Sequence, residues 1–97
     1  MLNKQLMELL KIDPNIVLID VRDKSSYNSG HLRNSINLPL ETLILHVNKM
    51  ISNKLTRIFV YCDMGNKSRN AEYILRQQGY LNTYNLGGVR GYKDLVK

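Results

Sequence analysis

Apolar positions along the chain follow two patterns, helical stripes and unbroken runs rich in β-branched residues. Leu2, Leu6, Leu9 and Leu10 share one helical stripe. Pro14 ends it, because the residue before a proline is pushed out of the α region. Ile16-Val-Leu-Ile-Asp-Val21 does not alternate, which fits a strand buried on both faces, and such strands belong to parallel sheets. Residues 24–35 are polar with Gly30 among them and predict a short helix or turn, with a brief strand at Ile36–Leu38 before Pro39. Leu43, Ile44, Val47, Met50 and Ile51 then recur at helical spacing between Glu41 and Ser52. Arg57 to Tyr61 repeats the buried-strand pattern. Ala71, Ile74 and Leu75 mark a helix that starts near Ser68 and stops at Gly79, where glycine can take a left-handed cap. Asn82 to Leu86 predicts a last strand, followed by Gly87-Gly88 and a short basic tail open to a helix. Helices alternating with short buried strands give an α/β fold, a mainly parallel sheet with helices packed on both faces.

Length and composition narrow the possibilities. A chain of 97 residues buries only roughly 60–65% of its unfolded surface, so residues 1–97 are expected to form one domain. With 43% hydrophobic residues it has enough apolar side chains to fold, unlike a disordered segment. Fourteen Lys and Arg against eight Asp and Glu leave +6, which admits anionic partners from small oxyanions to nucleic acid. The basic residues are scattered from Lys4 to Lys97, and none forms a continuous stripe longer than the interrupted pair Lys67 and Arg69. Nucleic acid is therefore not an expected partner. The single cysteine, Cys62, cannot form an internal disulfide or a multi-thiolate metal site, and His31 and His46 stand far from it, so no metal is expected. A lone thiol suits a reducing compartment, and Lys4, Glu8 and Lys11 interrupt the place where a leader would be apolar. The expected location is cytoplasmic. Apolar stretches such as Ile16 to Ile19 fall far short of the ~20 residues of a membrane span.

In open α/β sheets, ligands gather beyond the carboxyl ends of the strands. Cys62 stands at such an end. Cys62-Asp63-Met64-Gly65-Asn66-Lys67-Ser68 leads straight into a helix whose free N–H groups and positive dipole end point back at the loop. Gly65 lets the backbone curl with positive φ, and Ser68 is the expected N-cap, so successive amides can form an anion nest around the sulfur. A helix N-terminus with Lys67 nearby lowers a thiol from its ordinary pKa of about 8.5 toward neutrality. A lone cysteine ending a strand is otherwise a small buried apolar residue. The glycine-bearing loop favours the nucleophile, since a plain core residue needs no such loop.

Five ordered segments resemble the rhodanese domains. VLIDVRD at 17–23 is similar to that family's first core strand, and Tyr27-Asn-Ser-Gly30-His31-Leu-Arg33-Asn-Ser35-Ile-Asn37-Leu-Pro39 to its following segment. IFVYCDMGNKS resembles the strand and active-site loop, often written C-x-x-G-x-R-S. Ala71 to Tyr80 fits the next helix, and Tyr84-Asn-Leu86-Gly87-Gly88 the closing strand and double glycine. The match covers about 80 residues. What the resemblance implies is a thiosulfate sulfurtransferase that needs no cofactor. The loop cysteine takes the sulfane sulfur of a small sulfur-bearing anion, becomes a persulfide, and passes the sulfur to a thiol, cyanide or protein acceptor. Cys62 is then the catalytic residue. Asp63, Met64, Gly65, Asn66, Lys67 and Ser68 are the substrate-binding candidates, and Arg69, just after the cap, either faces solvent or reaches the pocket rim.

Three positions depart from the family pattern. Lys67 stands where arginine is frequent, offering a point charge in place of a planar fork. Asp63 opposes an incoming anion if it faces the pocket, and Tyr92 stands near a frequent tryptophan. His31, in a turn, is read as structural rather than as a base, and Asp20 with Arg22 as an ion-pairing feature of the fold. Met7, Met50 and Met64 read as filler, with Met64 able to line the entrance. Two alternatives remain. A cysteine phosphatase or arsenate reductase would need arginine six residues after the cysteine, where this chain has Ser68. A non-catalytic binding or sulfur-relay module would use the same fold to serve a protein partner.

Overall fold

The two unbroken apolar runs lie side by side at the centre of the molecule. In chain order the elements of the computed structural model are α1 (Asn3–Ile12), β1 (Val17–Asp20), α2 (Lys24–Ser29), β2 (His31–Leu32), β3 (Ser35–Asn37), a 3₁₀ turn (Leu40–Thr42), α3 (Leu43–Met50), β4 (Ile58–Cys62), α4 (Asn66–Gln77), β5 (Thr83–Gly88) and β6 (Leu95–Val96). The structure describes residues 3–89 and 95–96. Four strands form a parallel sheet in the order β3-β1-β4-β5, while β2 and β6 make a separate antiparallel pair. Every residue of β4 is buried. Because successive side chains of a strand point to opposite faces, Ile58, Val60 and Cys62 enter one core and Phe59 and Tyr61 the other.

The first core joins Ile19, Val21 and Ile58, Val60 and Cys62 of β4 to Leu43 and Val47 of α3 and Ala71 and Leu75 of α4. The second packs Leu6, Leu9 and Leu10 of α1 against Leu18, Phe59 and Tyr61. Helices therefore cover both faces of the sheet, which is why its strands read as continuous apolar runs. Among the described residues, no helix is long and apolar enough to cross a membrane.

Several expectations change in detail. The helix expected from Glu41 opens with the 3₁₀ turn, and only Leu43, Val47 and Ile51 of its stripe are buried; Met50 is exposed rather than core filler. One side chain per turn suffices to seal α3 onto the sheet. The polar stretch 24–35 is a helix followed by two short strands, and β2 pairs with β6 in the tail, with His31 opposite Val96. The tail was open to a helix; Leu95–Val96 is a strand, and residues 90–94, Tyr92 included, lie outside the described residues.

The last strand runs to Gly88, two residues beyond expectation, because a bulge places Tyr61 opposite Gly87 after Val60 opposite Asn85. Gly87 takes φ +88° there, and its N–H donates to Asn85 Oδ1 at 2.7 Å. The bulge sets Gly88 directly beside Cys62.

Candidate active site

Cys62 ends β4, and the chain turns at Asp63, Met64 and Gly65 before α4 begins. Gly65 holds φ +100°, the left-handed conformation that the sequence anticipated for it. Ser68 is not the N-cap. Gly65 occupies that position without a side chain to offer, and α4 starts two residues earlier than expected, at Asn66. The orphan donors of the first turn are instead satisfied by the cysteine sulfur, which accepts the Gly65 N–H at 2.9 Å and the Ser68 N–H at 3.3 Å. Sγ thus caps the helix. Ser68 closes the turn from inside, its hydroxyl donating to Gly65 O at 3.1 Å and lying 3.4 Å from Sγ.

This cradle sets the charge of the thiol. Burial pushes Cys62 up, but the Ser68 hydroxyl and the Ser68, Gly65 and Met64 amides together hold it below its ordinary value. Lys67, expected to share this work, lines the cleft but is not among the leading causes of that shift. Its Nζ lies 3.7 Å from Glu41 Oε2 in an exposed pair. The loop is backed by β5: Val89 N–H donates to Cys62 O at 3.0 Å, and a Cβ at Gly88 would lie 2.9 Å from Met64 Cα.

A cleft of about 390 Å³ opens in front of the sulfur, lined by Arg22, Asp23, Ser26, Cys62, Asp63, Met64, Asn66 and Lys67. The sequence-predicted residues divide accordingly. Asp63, Met64, Asn66 and Lys67 line the cleft with Cys62, Met64 at its entrance and largely exposed. Gly65 and Ser68 hold the sulfur from behind. Of the two positions open to Arg69, solvent or the rim, the structure has it exposed and outside the lining, because it lies about 100° around the helix from the inward-facing Ser68.

Arg22, Asp23 and Ser26 enter the cleft from the loop after β1 and the start of α2; the sequence puts Arg22 at a strand end near the site but as an ion-pairing feature of the fold, and it does not point to Asp23 or Ser26. Asp23 caps α2, accepting the Ser26 N–H at 2.8 Å, and that bond holds its carboxyl below the ordinary value. Arg22 does form the ion pair expected with Asp20: Nε and Nη2 donate to the buried carboxylate at 2.8–3.1 Å, and Nη2 also donates to Gly30 O at 2.6 Å. Burial works against the cation, yet Asp20 keeps it above its ordinary value. A signal was available, since Arg22 leaves the carboxyl end of a strand adjacent to β4. His31 stands apart from the cleft, stacked on Tyr27 with ring centres 3.8 Å apart and Nδ1 2.9 Å from Tyr27 O. Among the described residues, no group of three or more His, Cys, Asp or Glu could hold a metal ion.

Comparison with known proteins places this geometry among relatives. The family model described as "Rhodanese-like domain" matches residues 2–95. The chain is 33% identical over 72 residues to thiosulfate sulfurtransferase PspE of Escherichia coli (strain K12), covering 74% of this chain and 69% of that protein. It is 32% identical over 93 residues to thiosulfate sulfurtransferase GlpE of Tolumonas auensis, covering 95% and 85%. A tRNA uridine(34) hydroxylase of Erwinia tasmaniensis is 32% identical over 85 residues, and there the chain spans only 24% of the relative against 82% of itself. Among solved structures, a rhodanese with anions from E. coli superposes with a TM-score of 0.78 at 31% identity, covering 84% of this chain and 98% of that one.

Proposed function

The chain belongs to the rhodanese-like domain family, and on that premise we propose that it is a sulfurtransferase working through a persulfide on Cys62. The observation that carries the reading is the double capture of Sγ by the Gly65 and Ser68 amides, which favours an anion on the sulfur before and after transfer. The thiolate attacks the sulfane sulfur of a donor such as thiosulfate. The donor S–S bond breaks, its electron pair leaves with sulfite, and Cys62 gains the new S–S bond. A thiophilic acceptor, cyanide or a thiol, then takes the outer sulfur and returns the thiolate. Because the cradle favours the thiolate over the thiol, neither half calls for a general base. His31 is accordingly free to serve the fold.

A phosphatase reading finds little support. The arginine that would clamp a phosphate six residues after the cysteine is replaced by Ser68, and Arg69 lies outside the cleft. A relay reading, in which Cys62 carries sulfur for a protein partner, draws on the longer relatives of which this chain matches about a quarter. Intact mass before and after thiosulfate tests the proposal. One added sulfur, removable by a thiol reductant and missing in Cys62→Ser, is the expected result. Transferable sulfur on the serine variant would refute it. Turnover of thiosulfate with cyanide separates an enzyme from a relay that loads only from its partner.

A further inference from the structure

We infer that Arg22, beyond its ion pair with Asp20, is a donor-binding residue whose Nη1 grips the oxyanion end of the sulfur donor. The inference rests on the sulfur-transfer reading above and names a group within that site which the loop motif does not contain. The Arg22 side chain is only 10% exposed. Its Nε and Nη2 are committed to Asp20 and to Gly30 O, while Nη1 makes no hydrogen bond within 3.5 Å among the described residues and its guanidinium is otherwise neighboured by Tyr61, which supports the cation. Two unspent N–H donors on a buried guanidinium are costly unless something accepts them. Arg22 shares the cleft with Cys62, so that acceptor has a place to bind.

The charges around the cleft point the same way. Asp23 lines it and repels an entering dianion. Lys67, the other cation there among the described residues, is exposed, long and tied to Glu41. Arg22 is held in one place by three hydrogen-bonding atoms and lies with its Cζ 5.7 Å from the centre of the Tyr61 ring. A fixed donor loses little freedom on binding, so Nη1 suits the sulfonate of thiosulfate better than a mobile ammonium does. In the transfer, one S–S bond forms as one breaks, no proton moves and no outside oxidant or reductant is needed. Charge gathers on the sulfonate oxygens as sulfite departs, and donors already placed there strengthen in the transition state.

Arg22→Lys tests this, because lysine keeps a cation beside Asp20 and removes Nη1. With thiosulfate, kcat/KM for loading Cys62 should fall about tenfold or more. Loading from cysteamine persulfide, which has no sulfonate, should fall by less than about threefold on the same reasoning. Unchanged thiosulfate kinetics, or equal losses with both donors, would overturn the assignment while leaving sulfur transfer intact. A wild-type protein that loads from neither donor would overturn sulfur transfer itself. If Arg22→Lys does not fold, Cys62→Ser titrated with sulfite decides the matter. The Arg22 Nε–H resonance should move saturably, and no movement at millimolar sulfite would overturn the assignment.

Discussion

Substituting Gly88 with alanine puts a methyl group against the back of the active loop. The new Cβ would overlap Asp63 O and lie 2.9 Å from Met64 Cα and 3.0 Å from Met64 C, all backbone atoms that no rotamer change can remove. Ordinary carbon contacts begin near 3.5 Å, so the loop must retreat by about half an ångström at Met64 and further at Asp63. The strand has little room to give way instead. Gly88 is paired beside Cys62, and Val89 N–H is bonded to Cys62 O. The displacement falls on the segment whose Gly65 amide reaches Sγ at 2.9 Å. Overpacking of this kind costs about 1–3 kcal/mol in stability, and misplacing a reacting group by such distances costs on the order of 10–100-fold in rate. Gly87→Ala is the control. It is strained by φ +88°, but a Cβ there meets nothing within 4 Å, so it should lower the melting temperature without moving the loop. The assays are the rate of persulfide loading and the pH midpoint of iodoacetamide alkylation, which should rise in Gly88→Ala as the amides leave the sulfur. Wild-type loading and alkylation in a folded Gly88→Ala would refute the argument that β5 positions the cradle.

Ser68→Ala removes the hydroxyl beside Sγ, so its alkylation midpoint should shift upward and its loading slow several-fold. Because the folded thiol titrates below its ordinary value, the sulfur's contribution to stability is complete above about pH 8.5 and is lost as pH falls through the folded value. The stability gap between wild type and Ser68→Ala should therefore widen from about pH 5 to about pH 9 in thermal scans, and a constant gap would count against a cradled thiolate. Glu41→Gln frees Lys67 from its partner and should lower the Michaelis constant for thiosulfate about two- to threefold, while Lys67→Ala should raise it. Both effects should shrink together in high salt, and effects that persist there would place Lys67 in direct contact with the donor rather than at the mouth.

The fold was legible where local pattern and tertiary demand agree. Ile16–Val21 and Arg57–Tyr61 could only be strands covered on both faces, and α1 and α3 sit on those faces as their stripes required. Cys62 and Gly65 were equally legible, since a strand end, a positive φ and a helix start are local features. The different cap at Ser68 and the Glu41 pairing of Lys67 were out of reach for one reason. The sequence offers a capping serine and a nearby cation, but whether a side chain or the sulfur accepts the amides depends on where β4 stops relative to α4. Whether Lys67 reaches Cys62 depends on Glu41, more than twenty residues earlier.

The sequence by itself therefore determined the parallel α/β architecture, the strand-end position of Cys62 and the glycine that shapes its loop, because each follows from neighbours in the chain. Only the tertiary structure decided the opposite wall of the cleft. Arg22, Asp23 and Ser26 meet Cys62 because β1 and β4 pair in parallel with Asp20 beside Tyr61, and the bulge in β5 brings Gly88 behind the loop. Register between strands forty residues apart is fixed by packing the two cores together, and local periodicity carries no information about it.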